Sequence, residues 1–401
     1  MHGSIFFHAN MHYAEIPRER LAELAERSYT PALGLLRDHP QFRAALEFSG
    51  YTLEWLEANR PDLIDLIREL HARGQVELMG STYADPILPL IPPDDAARQL
   101  DRYLAIHSRL FGGHRPAGLY VQEYSLDAAT VEVLQQMGYK WALVSSGHYR
   151  ISRKALFNTP LQKIPAQEEF NAREPVCHPF TILGARGSSV TGLTWNMPGP
   201  NDLFWAWKDG RMSLPEVDQA LDALDPDGFL FLCTADMEFV GDIPPQGSFT
   251  APKLAEALTG LTSVQWVLPS DYLGTHPPTE VLYLKTGAGS RFSDLANWTV
   301  DDDNRRLNAL CDDARSQIRL AEAMVGLVEA LGFDIGAAQR SLSQAREALL
   351  LADNSDGRGW KPLAERRLDC FDQALTARDR AAEALQLATE AVKPHAAAGR
   401  N

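Results

Sequence analysis

Cysteine is scarce in this chain, and the little there is does not pair by spacing. Cys177, Cys233, Cys311 and Cys370 lie far apart with no C-x-x-C among them. That excludes a disulfide framework or structural zinc site as the basis of the fold and leaves four reduced thiols as the expectation. A basic excess is also lacking: 38 Lys and Arg stand against 53 Asp and Glu, a formal net charge of −15. Nucleic acid and anionic membrane surfaces select basic patches, so neither is expected as a partner. No apolar run approaches the roughly 18–20 residues of a membrane span. The opening residues "MHGSIFFHANMHYAEIP" show no basic n-region, no long apolar stretch and no small-residue cleavage site. A signal peptide is therefore not expected, and a cytoplasmic protein is.

What is present is an ordinary globular composition, 45% hydrophobic and 23% charged over 401 residues, enough for one large domain and a smaller one. Short apolar runs alternate with helical patterns over the first two-thirds. Strands are predicted at "SIFF" (4–7), "QVELMG" (75–80), "GLYV" (118–121), "KWALVSS" (140–146), "SVTGLTW" (189–195), "GFLFLCT" (228–234) and "SVQWVLP" (263–269). Between them, "DLIDLIRELHARGQ" carries Leu63, Ile64, Ile67 and Leu70 at helical spacing, with Pro61 as a start signal and Gly74 as a stop. Further helices are predicted over "PDDAARQLDRYLAIHSRLFG", Ser125–Met137, 215–224 and 251–260. Repeated β–α units imply a parallel sheet closed or nearly closed into a barrel, and the wholly apolar "LFLC" and "WALV" suit strands buried on both faces.

The pattern changes near Asp303. "RRLNALCDDARSQIRLAEAMVGLVEALG", "AAQRSLSQAREALLLA" and the stretch after Pro362 read as three amphipathic helices. The predicted organisation is an α/β barrel over 1–275, a linker over 276–302, a three-helix region over 303–394 and a flexible tail over 395–401. Two placements are open for the helices: over the barrel's open end, or as a homodimer contact.

In parallel β/α folds, function collects where strands end and loops begin. That rule selects His8, Asn10 and His12 after the first strand, Glu77 and Asp85 around the second, Glu123 after "GLYV", Trp195, Asn196 and Asp202 in "TWNMPGPNDLFWAW", where Trp205 and Trp207 also lie, and Asp236 and Glu238 in "CTADMEF". Paired carboxylates beside flat aromatic rings suit glycoside chemistry. One carboxylate attacks the anomeric carbon and the other protonates the leaving oxygen. His8 and His12 also invite a metal, but four residues of extended chain span about 13 Å. A shared zinc, with ligand distances of about 2.0–2.1 Å, would need the chain to fold back. No metal and no cofactor is expected.

The order and content of these segments resemble glycoside hydrolase family 57, a family of α-glucan-acting amylases, 4-α-glucanotransferases and branching enzymes. "SIFFHANMHYAEIP" is similar to its first motif, a strand ending in His-x-His-Gln-Pro. "GQVELMGSTYADPILPLIP" is similar to its second, Gly-x-x-Glu, and "GLYVQEYS" to its third, Gly-x-Trp-x-Pro-Glu. "TADMEF" resembles its Asp-x-Glu motif. The resemblance implies an incomplete or distorted parallel (β/α)7 barrel followed by an α-helical bundle. It implies a retaining glycosidase or transglycosidase on α-linked glucans, with an oligosaccharide or polysaccharide as its partner. Glu123 would be the nucleophile, and His8, Asn10, Glu77, Asp236 and Glu238 would match motif positions. Gln122 and Tyr120 stand where the family has Pro and Trp. Asn196 of "TWN" falls where the family's acid/base Asp is expected: either Asp202 or Asp236 takes that role, or the alignment slips there, or the chain is not a standard retaining hydrolase. The remaining site candidates, His12, Tyr120, Trp195, Trp205 and Trp207, would line the sugar site. Two alternatives stay open: a metal-dependent deacetylase- or mannosidase-like hydrolase on a related barrel, and a sugar-binding relative that has lost its acid/base.

Overall fold

A computed structural model describes residues 1–157, 175–196, 200–241, 249–289 and 294–398. The chain divides into two compact units, Met1–Leu295 and Ala296–Asn401.

The first unit holds the strands β1 (His2–Ala9), β2 (Ala44–Phe48), β3 (Val76–Leu78), β4 (Gly118–Leu119), β5 (Trp141–Ser145), β6 (Phe180–Leu183), β7 (Ser189–Trp195), β8 (Phe229–Asp236), β9 (Gln265–Trp266) and β10 (Glu280–Tyr283). One sheet runs β3-β2-β1-β8, with β9 paired to the first residues of β1; the other runs β10-β6-β7-β5-β4. A parallel bridge between Gly80 and Leu119 joins β3 to β4. β1, β2, β3, β4, β5, β7 and β8 therefore follow one another around a barrel. β7 and β8 close it by packing Leu193 against Phe229 and Phe231, with no ladder pairing among the described residues. Among the described strands only β6 runs antiparallel to a neighbour, β7, and it extends the sheet outward with β10. This is the closed parallel sheet that the alternating pattern predicts, in the distorted seven-stranded form that the family resemblance implies.

Two strands outside the sequence-based set matter for function. β2 reads "AALEF", whose Ala, Leu and Glu favour helix; its place between β1 and β3, fully buried, overrides that preference. β10 falls in the 276–302 stretch and pairs in parallel with β6.

A bulge in β8 aims its last residue. Ile5 pairs with Leu232 but Phe7 pairs with Ala235, so β8 carries one extra residue there, at Cys233–Thr234, and Cys233 has φ 51°. Strand side chains alternate between faces. Phe231 points into the barrel against Phe6, ring centroids 5.9 Å apart. An unbroken strand would place position 236 on the outer face; the extra residue moves it to the inner face, opposite His8.

In the second unit the helices Asp302–Ala330, Gly336–Ala352 and Ala364–Ala398 share one core. Leu307, Ile318 and Val325 of the first meet Leu342 and Leu349 of the second. The third contributes Cys370 and the alanines 374, 377, 381, 384 and 388, whose small size at three- and four-residue spacing lets the helices approach closely. Of the tail predicted at 395–401, residues 399–401 lie outside the described residues. All four cysteines are buried free thiols.

Candidate active site

The inner face of the barrel ends in a layer of polar side chains above an aromatic floor of Phe6, Tyr120, Trp141, Phe231 and Tyr272. His8 of β1 is the centre of that layer. Register places it beside Glu47 of β2 on one side and Asp236 of β8 on the other. Its Nδ1 is hydrogen-bonded to Glu47 Oε2, and both side chains are buried. Burial opposes the imidazolium, but Glu47, then Asp236 and Asp85, outweigh it and hold the His8 pKa well above 6.5. The second oxygen of Glu47 is buried without a hydrogen-bond partner.

Asp236 is half-buried and accepts a hydrogen bond from the Tyr13 hydroxyl at 3.2 Å. Burial raises its pKa, while His8 and the Tyr13 hydroxyl work in the opposite direction. Glu238, fully buried, accepts from the Asn10 N–H at 2.9 Å and from the Tyr29 hydroxyl. Burial, and then the charge of Asp236, push its pKa up to about 8.

Glu123 lies on a sharp turn. β4 is two residues long, Val121 is still extended, and then Glu123 (φ 56°) and Tyr124 (φ 55°) both enter the left-handed region before the helix Ala128–Gln136 begins. Two consecutive non-glycine residues there are uncommon. The rings of Tyr120 and Tyr124 meet edge to face at 5.1 Å, and Tyr124 stacks on Trp195 of β7 at 4.6 Å and 8°. Both hydroxyls are raised well above the usual range by burial and by the charges of Glu123 and Asp236. The charges of the carboxylate after β4 and of the one at the end of β8 thus both reach these two tyrosines.

The sequence-selected residues divide by what they touch. His8, Tyr120, Glu123, Trp195, Asp236 and Glu238 come together at the carboxyl ends of the strands. Asn10 shapes the turn after β1, its side-chain oxygen accepting the His12 N–H at 2.7 Å, and His12 stacks on Tyr51 at 3.6 Å. Asn196 accepts from the Val176 N–H at 2.7 Å and donates to the Val176 carbonyl at 3.0 Å and to Thr194 Oγ1 at 3.1 Å. That amide pins a neighbouring segment. Glu77 lies lower in the barrel, level with Phe6 through Ala45, where it accepts from the Ser270 N–H at 2.8 Å and the Ser270 hydroxyl at 2.6 Å. Trp205 and Trp207 pack on Phe249, at 5.3 and 6.5 Å, and Trp205 also meets Phe239 at 6.2 Å. Asp202 lies on the helix Pro200–Lys208, and its side chain is outside the described residues. Among the described residues no three His, Cys, Asp or Glu side chains converge as metal ligands would, and no helix is long and apolar enough to cross a membrane.

Four residues of the layer escape the sequence rule. Glu47 sits on the strand whose composition reads as helix. Tyr13, Tyr29 and Tyr124 carry no charge to draw attention, though Tyr124 directly follows Glu123.

Comparison with known proteins agrees with this fold. The sequence profile of glycosyl hydrolase family 57 matches residues 3–285. An α-amylase of Pyrococcus abyssi is 32% identical over 140 residues, 34% of this chain and 21% of the relative. A 4-alpha-glucanotransferase of Thermococcus litoralis is 31% identical over 138 residues, again 34% and 21%. The matched stretch thus spans about a fifth of these relatives. The crystal structure of the T. litoralis enzyme superposes with a TM-score of 0.66 at 19% identity, covering 94% of this chain and 58% of that one. A branching enzyme from Pyrococcus horikoshii superposes equally, with a TM-score of 0.66 at 14% identity over 96% and 87%. At such identities the superpositions establish a shared fold.

Proposed function

Because this chain belongs to glycosyl hydrolase family 57, we propose that it cleaves or transfers α-linked glucosyl units by a two-step retaining mechanism, with Glu123 as nucleophile and Asp236 as acid/base. The observation that carries this reading is the β8 bulge, which turns Asp236 into the barrel opposite His8, close enough that its charge and that of Glu123 both act on Tyr120 and Tyr124.

A Glu123 carboxylate oxygen attacks the anomeric carbon as the glycosidic C–O bond breaks. Asp236, its pKa raised by burial, delivers its proton to the departing oxygen. Asp236 then takes a proton from water, giving hydrolysis, or from a sugar hydroxyl, giving transfer. The oxygen so activated attacks the anomeric carbon and frees Glu123. His8, held cationic by Glu47, offsets the negative charge that collects among Asp236, Glu47 and Asp85. Tyr124 stacked on Trp195 offers an aromatic wall for the sugar. Asn196 is not needed as a proton donor, because its amide serves the Val176 segment while Asp236 stands at the strand end with the properties an acid requires. The substrate class, an α-glucan or maltooligosaccharide, follows from the amylase and glucanotransferase relatives.

Incubation of the purified protein with maltoheptaose tests this. Chain-length redistribution or shortening is expected, and Asp236→Asn should lower turnover about 10²- to 10⁴-fold while the circular dichroism spectrum is unchanged. Turnover within a factor of about two of wild type would remove Asp236 from the mechanism.

A further inference from the structure

Glu123 and Tyr124 occupy consecutive left-handed conformations that persist only where the surroundings over-determine them. The surroundings that do so come from the far end of the barrel unit. After β10 the chain crosses behind the Glu123 turn. Leu126 and Gly287 exchange both backbone hydrogen bonds, at 3.0 and 3.2 Å, and the Gly289 N–H donates to the Glu123 carbonyl at 2.5 Å. The crossing segment is itself fixed from the other side. His148 Nε2 donates to the Lys285 carbonyl at 2.7 Å, and the Lys285 N–H donates to the Ser152 hydroxyl at 3.1 Å.

Gly289 has no room for a side chain. A Cβ there would lie 2.7 Å from the Tyr124 ring, 2.8 Å from Ser145 Cβ and 3.1 Å from the Glu123 carbonyl oxygen. Tyr124 cannot yield easily, because Trp195 stacks on its ring. Gly287 and Gly289 lie beyond residue 285, where the family match ends.

We propose that residues 285–289 form a clamp that holds Glu123 in its attacking position, with Gly289 as a positioning residue for the nucleophile. The proposal rests on the reading of Glu123 as nucleophile. Misplacing a nucleophile by about 1 Å can cost about 10²-fold in rate, and the clamp acts on its backbone directly.

Trapping with a fluorinated α-glucosyl fluoride, which stalls at the covalent ester, separates the two readings. In the wild type, peptide mass spectrometry should find the label on Glu123; a label on another carboxylate overturns the nucleophile assignment and the clamp with it. In Gly289→Ala the label should stay on Glu123 while its rate of appearance, per titrated folded site, falls about 10- to 100-fold, with KM for maltoheptaose held within a factor of about three. A role confined to folding would lower the number of titrated sites and leave the rate per site unchanged, and that result overturns the clamp. Ser152→Ala frees only Lys285 and keeps the test open should Gly289→Ala not fold: labelling should slow several-fold, and a wild-type rate would contradict the proposal.

Discussion

His8 and Glu47 are register partners on adjacent parallel strands, 39 residues apart in sequence, and their side chains form a hydrogen-bonded pair inside the barrel. Glu47 is fully buried, so its charge is tolerated only because His8 answers it. Glu47→Gln should destabilise the fold by about 3–5 kcal/mol, the usual cost of removing one partner from a buried pair. The pH dependence follows from the direction of the His8 shift. Its folded pKa lies above the unfolded 6.5, so the pair's contribution is complete below that value and is lost as pH rises through the raised folded one. Thermal melts from about pH 6 upward should show the gap between wild type and variant narrowing with pH. A gap independent of pH would contradict the ion pair.

Tyr13 tunes the proposed acid. Its hydroxyl donates to Asp236 and so favours the ionised form. Tyr13→Phe should raise the Asp236 pKa and move the alkaline limb of the kcat/KM profile to higher pH. An unmoved limb, or one displaced downward, would show that Asp236 is not the group titrating there.

Asn196→Asp tests whether "TWN" hides a dormant acid. The amide donates to the Val176 carbonyl and to Thr194, and a carboxylate would face that carbonyl with no proton to share. A loss of about 1–3 kcal/mol in denaturant unfolding is expected, with no gain in turnover. An increase in kcat would return Asn196 to the list of proton-transfer positions.

Glu77 is expected to separate stability from chemistry. Its carboxylate holds Ser270 at the start of the short helix Pro269–Thr275, below the level of His8. Burial raises its pKa, and the Ser270 and Trp141 hydrogen bonds oppose the rise. Glu77→Ala should cost about 1–3 kcal/mol while kcat per folded molecule stays near wild type. A fall in kcat without loss of stability would place Glu77 in the sugar site.

The barrel was legible because its strands are short apolar runs separated by capped helices, and most of the site was legible because strand ends concentrate polar residues. β2 was not, since "AALEF" reads as helix locally and only its two strand neighbours make it extended; Glu47 was lost with it. The bulge at Cys233–Thr234 has no local signature, yet it decides which way Asp236 points. Asn196 directly follows β7 and Asp236 ends β8, two strands that adjoin in the barrel, and it is Asp236 that register sets opposite His8. Gly289 could not be ranked from sequence, because its constraint is the Tyr124 ring more than 160 positions earlier.

Azide rescue tests the division of labour between Glu123 and Asp236 most directly. With an activated α-glucosyl substrate, Glu123→Ala plus azide should recover activity and release the β-glucosyl azide, since azide then takes the place of the nucleophile. Asp236→Ala plus azide should release the α-glucosyl azide, since azide then intercepts the Glu123 ester without needing a base. The reverse assignment of anomers, or rescue of neither variant alongside an active wild type, would contradict the account.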